Sequence, residues 1–186
     1  DLTIGLLVIV AYSLFAQMKN GMNYVLAAAA IYGVSVAVAL ATEAVWAYIH
    51  KTDILEQFKN SFPLVTSLIF ALTLPVGTPL YVVAVGSFIA IFFGKLVYGG
   101  FGHNIFNPAL VGRVVVHLSF GGKLVSYLPG AADAMTGATP ATMLAGTSWV
   151  GSEAFTKAFS LLDLFLGNHG GTLGETCIAV ILVVGV

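Results

Sequence analysis

From Asn60 to Gly94 the chain reads NSFPLVTSLIFALTLPVGTPLYVVAVGSFIAIFFG, and no residue in it carries a charge. Crossing the hydrocarbon core of a bilayer takes about 20 apolar residues, so this stretch reads as membrane-embedded. It cannot be one continuous helix. Leu74-Pro75-Val76-Gly77-Thr78-Pro79 interrupts it, because each proline lacks a backbone donor and restricts its predecessor. The expectation is a short helix from about Phe62 to Leu74 and a longer one from about Leu80 to Val97. The short one would span only ~20 Å, less than a bilayer.

Downstream, Gly99-Gly100-Phe101-Gly102-His103-Asn104-Ile105-Phe106-Asn107-Pro108-Ala109-Leu110 is a Gly-rich turn entering a second short helix, about Pro108 to Leu118. Asn107 suits its N-cap and Pro108 its first turn. Two short, Pro-interrupted apolar segments fit broken helices whose ends line a site at membrane depth, and they fit ordinary packed short helices equally. Upstream, apolar segments run from about Leu2 to Gln17 and from about Tyr24 to Tyr48, joined by Lys19-Asn20-Gly21. Trp46 and Tyr48 mark an interface. His50 to Lys59 is a charged cluster, read as a solvated loop or an interfacial helix. Lys95 and Tyr98 are placed as interfacial anchors. Residues 121–151 read as a long non-helical loop, followed by an amphipathic stretch from about Phe155 to Leu166 and a last apolar run from Cys177. The chain lacks an initiator Met and is apolar at both ends, which suggests a piece of a longer protein with one transmembrane domain over residues 1–186.

Composition agrees. Of 186 residues, 59% are hydrophobic and 8% charged, with a net charge of −1 and a mean hydropathy of +0.99. A soluble domain carries about 25% charged residues. Disorder and nucleic-acid binding are excluded, the latter because no basic patch exists to neutralise phosphates. Cys177 is alone, so no disulfide framework or Cys-based zinc site arises. His50, His103 and His169 lie in loops and offer no metal-ligand spacing, and no metal site is expected. The fold class is therefore an all-α, multi-pass membrane protein with short or broken helices. Lys51, Lys59 and Lys95 on the inner side, against Lys19 and Lys123 outside, would satisfy the positive-inside preference and place residues 121–151 outside.

Asp133-Ala134-Met135-Thr136-Gly137-Ala138-Thr139 is the most informative string in that loop. Local physics makes it a flexible loop with Thr139 as a cap before Pro140. It also resembles Asp-x-x-Ser/Thr-Gly-Ala-Ser/Thr, the target at which a bacterial flavin transferase links FMN to a Thr hydroxyl through a phosphoester. With Ala71-Leu72-Thr73-Leu74-Pro75, the Gly99–Leu110 string and Gly171-Thr172-Leu173-Gly174-Glu175-Thr176 in the same order, the chain resembles the D subunits of Rnf ion-translocating ferredoxin:NAD oxidoreductases. It is similar, less closely, to the B subunits of sodium-pumping NADH:quinone oxidoreductases.

That resemblance implies a urea-transporter-like fold in the bacterial inner membrane, with a covalent FMN on Thr139 facing the outer side. Asp133, Thr136, Gly137 and Ala138 would be the attachment motif. The partners would be other subunits of the electron transport complex, the flavin transferase and the lipid bilayer. The chain would relay electrons without being a catalyst alone. Whether a second flavin binds non-covalently is left open, as are the coupling ion and the electron partners.

Arg113 is a cation inside an apolar helix, either contacting a cofactor or paired with Glu175 or Asp163. His117 lies one turn later, as a cofactor contact or a packing histidine. Thr172-x-x-Glu175 is also a capping box. The competing class is a passive channel. Asn107-Pro108-Ala109 is the aquaporin tripeptide, but it occurs once and Arg113 is displaced from the expected place. A urea-transporter-like solute channel without redox function is the other alternative.

Overall fold

A computed structural model describes residues 2–18, 21–124, 165, 172–174 and 178–185, and the regular elements among them are all helical. They are α1 (Leu2–Met18), α2 (Met22–His50), α3 (Ile54–Ser61), α4 (Pro63–Leu72), α5 (Leu80–Phe92), a 3₁₀ turn (Leu96–Tyr98), α6 (Pro108–Leu124) and α7 (Ile178–Gly185). Two stretches, Met22–His50 and Leu80–Tyr98, are long and apolar enough to cross a membrane. The all-helical membrane reading therefore stands.

One alternative is decided and two helix ends are refined. The charged cluster after His50, read as a loop or an interfacial helix, is a helix, α3, whose N-cap Asp53 accepts a bond from the Leu55 amide at 2.9 Å. The helix after Pro79 stops at Phe92 rather than Val97. Gly94 follows in a turn where a Cβ would come within 2.8 Å of the Pro108 Cα, so the start of α6 packs where continued helix would stand. The first helical piece of α6 runs from Pro108 to a non-helical residue, Phe120 (φ −129°, ψ 23°), close to the expected end at Leu118, and a second piece beyond this kink carries α6 to Leu124. The second short helix expected after Asn107 therefore stands, and what the sequence reading lacked is the short helical extension through Gly121 and Gly122.

Side-chain contacts give the relative helix directions. Ser35 meets Ser87 and Glu43 meets Lys95, a constant offset of 52 residues, so α2 and α5 run parallel. Ser35 also bonds the Ser67 carbonyl in α4, and Glu43 accepts from Ser61, two residues before α4 begins, so α4 runs antiparallel to α2. Gly94 lies against Pro108, and Gly86 and Ala90 lie against Gly112, so α6 is antiparallel to α5. This is the alternation expected of a multi-pass chain.

The short α4 packs against α1, α2, α5 and α6, with Phe70, Ala71 and Leu72 in the core beside Ile31, Val82, Val83 and Val116. Between helices already in lipid, packing rather than transfer out of water drives association, and small residues permit close approach. Gly112 illustrates this. A Cβ there would fall 2.6 Å from the Gly86 carbonyl oxygen and 2.8 Å from the Ala90 Cβ.

Candidate functional site

The break after α4 has a partner. The helix closes at Thr73, whose hydroxyl donates to the Phe70 carbonyl at 2.6 Å. Beyond it the Leu173 amide donates to the Leu74 carbonyl at 3.0 Å, and the Gly174 amide to the Leu72 carbonyl at 2.8 Å. A helix end leaves its last carbonyls without donors, and here residues distant in sequence supply them. Gly174 is required by the close approach, since a Cβ would stand 2.8 Å from the Leu72 Cβ. The strings Ala71–Pro75 and Gly171–Thr176, both carriers of the family resemblance, thus meet at the described residues 72–74 and 173–174.

A second polar site lies at the other end of α4. Glu43, about two turns before the end of the long apolar α2, is fully buried, as are Lys95 and Ser61. Lys95 Nζ lies 2.7 Å from Glu43 Oε1 and donates to the Ser61 carbonyl at 2.7 Å. The Ser61 hydroxyl donates to the same Glu43 oxygen at 2.5 Å. Glu43 Oε2 is buried and has no hydrogen-bond partner among the described residues. The expectation that Lys95 merely anchors at the interface is therefore corrected. The chain turns out of α5 one turn early, so its side chain points into the bundle, where a buried charge requires a counter-charge. Because Ser61 is the last residue of α3, the ammonium also meets an otherwise donor-poor helix C-terminus.

Glu43 was not among the residues expected from sequence to matter. The rule that singled out Arg113, an ionisable residue inside an apolar helix, applies equally to it. Its setting is a small-residue stripe, Ser35, Ala39, Glu43 and Ala47, all buried at helical spacing. Ser35 continues this polar face with hydroxyl contacts to Ser87 at 2.7 Å and to the Ser67 carbonyl at 2.9 Å. One turn earlier the Tyr32 hydroxyl donates to Ser13 Oγ at 3.0 Å. Such bonds fasten helices together in lipid.

The residues named from sequence fare differently. Asp133, Thr136, Gly137, Ala138 and Thr139 lie outside the described residues, as do Asp163, Glu175 and nearly all of the 121–151 loop. Asn107 caps α6 as expected, accepting from the Ala109 amide at 3.0 Å. Arg113 is half-buried, and its Nη1 is enclosed with no hydrogen-bond partner among the described residues. It sits about 8 Å along the axis from the start of α6, at the Glu43–Lys95 end of the bundle, and about 16 Å before Leu124. His117 is exposed rather than packed. His50 stacks on Trp46 with ring centroids 4.2 Å apart, and its Nδ1 lies 3.0 Å from the Trp46 carbonyl. No group of three or more His, Cys, Asp or Glu is placed to hold a metal among the described residues.

Comparison with known proteins places the chain among membrane redox subunits. Residues 3–186 match the model of the NQR2, RnfD, RnfE family. The chain is 38% identical over 156 residues to the B subunit of a Na(+)-translocating NADH-quinone reductase from Azotobacter vinelandii, covering 83% of this chain and 37% of the relative. The corresponding protein from Chromohalobacter salexigens is 35% identical over 172 residues, 92% of this chain and 39% of the relative. The D subunit of an ion-translocating oxidoreductase complex from Psychromonas ingrahamii is 40% identical over 91 residues, 49% of this chain and 26% of the relative. The chain thus spans well under half the length of these relatives.

Proposed function

The chain belongs to the NQR2, RnfD, RnfE family, and from this we propose that it is the membrane-embedded part of an electron-carrying subunit in a redox-driven ion-translocating complex. The observation that carries the proposal is the family match over residues 3–186, which includes the Asp133–Thr139 string. Relatives named as subunits of sodium-translocating and ion-translocating oxidoreductases support the same reading. Asp133-Ala134-Met135-Thr136 favours the ferredoxin-linked Rnf type over the quinone-reductase type. A urea-transporter-like arrangement is the fold that the family resemblance implies for this reading, and the backbone bonds from Leu173 and Gly174 to the carbonyls after α4 are compatible with it.

Thr139 would hold FMN through its hydroxyl, with Asp133, Thr136, Gly137 and Ala138 read by the flavin transferase on the outer side of the inner membrane. The isoalloxazine ring accepts and releases one or two electrons, and the protein's part is to hold and orient it. Other subunits would pass electrons to and from it.

The test is fluorescence of the full-length chain after denaturing electrophoresis, with the flavin transferase co-expressed. Wild type should give a fluorescent band. Thr139→Ala removes the acceptor oxygen and should give a dark band at equal protein, while Thr139→Ser should keep part of the signal. A dark wild type, or a bright Thr139→Ala band, rejects the covalent flavin and revives the channel reading.

A further inference from the structure

We propose that α3 is a membrane-surface helix whose apolar edge, Ile54 and Leu55 with Phe62 and Phe101, sits in the headgroup–acyl boundary of the leaflet at which α2 ends, held there by the buried Glu43–Lys95–Ser61 cluster.

Chain continuity sets its level. α3 follows a membrane span, α2, by the Lys51–Asp53 turn, and passes through Phe62 directly into α4. Both junctions are tight left-handed turns, with Lys51 at φ 56° and Phe62 at φ 51°, so α3 has no slack to leave the surface. The helix is also two-sided. Leu55 and Lys59 are one turn apart on one side, Glu56 and Asn60 one turn apart on the next, and all four are exposed. Leu55 is 68% and Ile54 41% exposed, and they lie at the end of the membrane span α2, where a lipid boundary would cover them.

The apolar edge extends beyond α3. Phe62 and Phe101 pack ring to ring with centroids 5.2 Å apart while remaining 47% and 61% exposed. Phe101 belongs to the Gly-rich turn at the same end of the bundle, just after Lys95. Paired aromatic rings at this depth match the interfacial preference of aromatic side chains. Lys59, one turn from Leu55, and Lys51, at the preceding turn, are exposed and supply the cations that an anionic headgroup would attract at this boundary.

The buried cluster holds α3 in register. Ser61, its last residue, offers its carbonyl to Lys95 and its hydroxyl to Glu43, so α3 is fastened to both α2 and the end of α5. Rotation of α3 that swung Leu55 into water would break both bonds.

The experiment uses the full-length chain in its complex, with Cys177→Ala and single cysteines at Leu55 or Asn60 carrying an environment-sensitive fluorophore. The complex is reconstituted in phosphatidylcholine–phosphatidylglycerol vesicles. Brominated lipid should quench the Leu55 label several-fold more than the Asn60 label, and aqueous iodide should show the reverse order. Equal quenching of both labels by iodide overturns the proposal, because α3 is then solvated. A Leu55 label shielded from iodide but untouched by brominated lipid also overturns it, and assigns that edge to a protein partner. Ser61→Ala, which removes one of the two fastenings, should raise iodide quenching at Leu55; no change overturns the role given to the cluster.

Discussion

Glu43 on α2 and Lys95 in the turn that follows α5 form a 2.7 Å ion pair, with both side chains withdrawn from solvent. Removing one partner of such a pair leaves an uncompensated charge, which costs about 3–5 kcal/mol, whereas replacing both by neutral groups of similar size is far milder. Lys95→Met alone should therefore lower the unfolding temperature in detergent sharply, and Lys95→Met/Glu43→Gln should recover most of the loss. A double variant no better than the single would show that the Lys95 contact with the Ser61 carbonyl, not the charge pair, holds the site.

The α5–α6 contact predicts opposite effects at two glycines. Gly112→Ala sets a Cβ 2.6 Å from a backbone oxygen, so the helices must separate, at about 1–3 kcal/mol for overpacking. Gly122→Ala meets nothing within 4 Å and lies in a helix, so it should be neutral or stabilising by up to about 1 kcal/mol. Melting curves of the two variants, measured side by side, should differ in sign or clearly in size.

Sidedness needs a direct measurement. With Lys95 neutralised by Glu43, Lys51 and Lys59 at that end stand against Lys19 and Lys123 expected at the other, so the positive-inside count is even and the outer placement rests on the flavin reading. In a Cys177→Ala background, a cysteine at Glu56 should react with an impermeant maleimide only after permeabilisation, and one at Ser126 in intact cells. The reverse pattern would put the Asp133–Thr139 string on the inner side and remove the flavin assignment.

Arg113 holds an enclosed, unmatched Nη1 among the described residues, which calls for an acceptor elsewhere in the chain or the complex. Arg113→Leu should strand that acceptor and reduce the yield of assembled complex. Arg113→Lys should restore it only in part, because an ammonium lacks the planar fork. Wild-type yield and electron transfer in Arg113→Leu would mean that the guanidinium only reaches the lipid boundary.

Much of this was legible along the chain. The absence of charge from Asn60 to Gly94 determined that the protein lies in a membrane, and Pro75 and Pro79 determined that its helix breaks there, because both effects are local: solvent preference and a missing donor. The family resemblance was legible for the same reason, as ordered strings of residues. What only the tertiary structure decided depends on pairs. Lys95 reads as an anchor until the turn after Phe92 directs it onto Glu43, and neither residue announces the other across 52 positions. Likewise Leu72 and Leu74 acquire their donors from Leu173 and Gly174, a backbone match that side-chain identity does not encode. The end of α5 moved for a related reason: the close approach of Pro108 to Gly94, a contact between residues on different elements, marks where the helix gives way to a turn after Phe92.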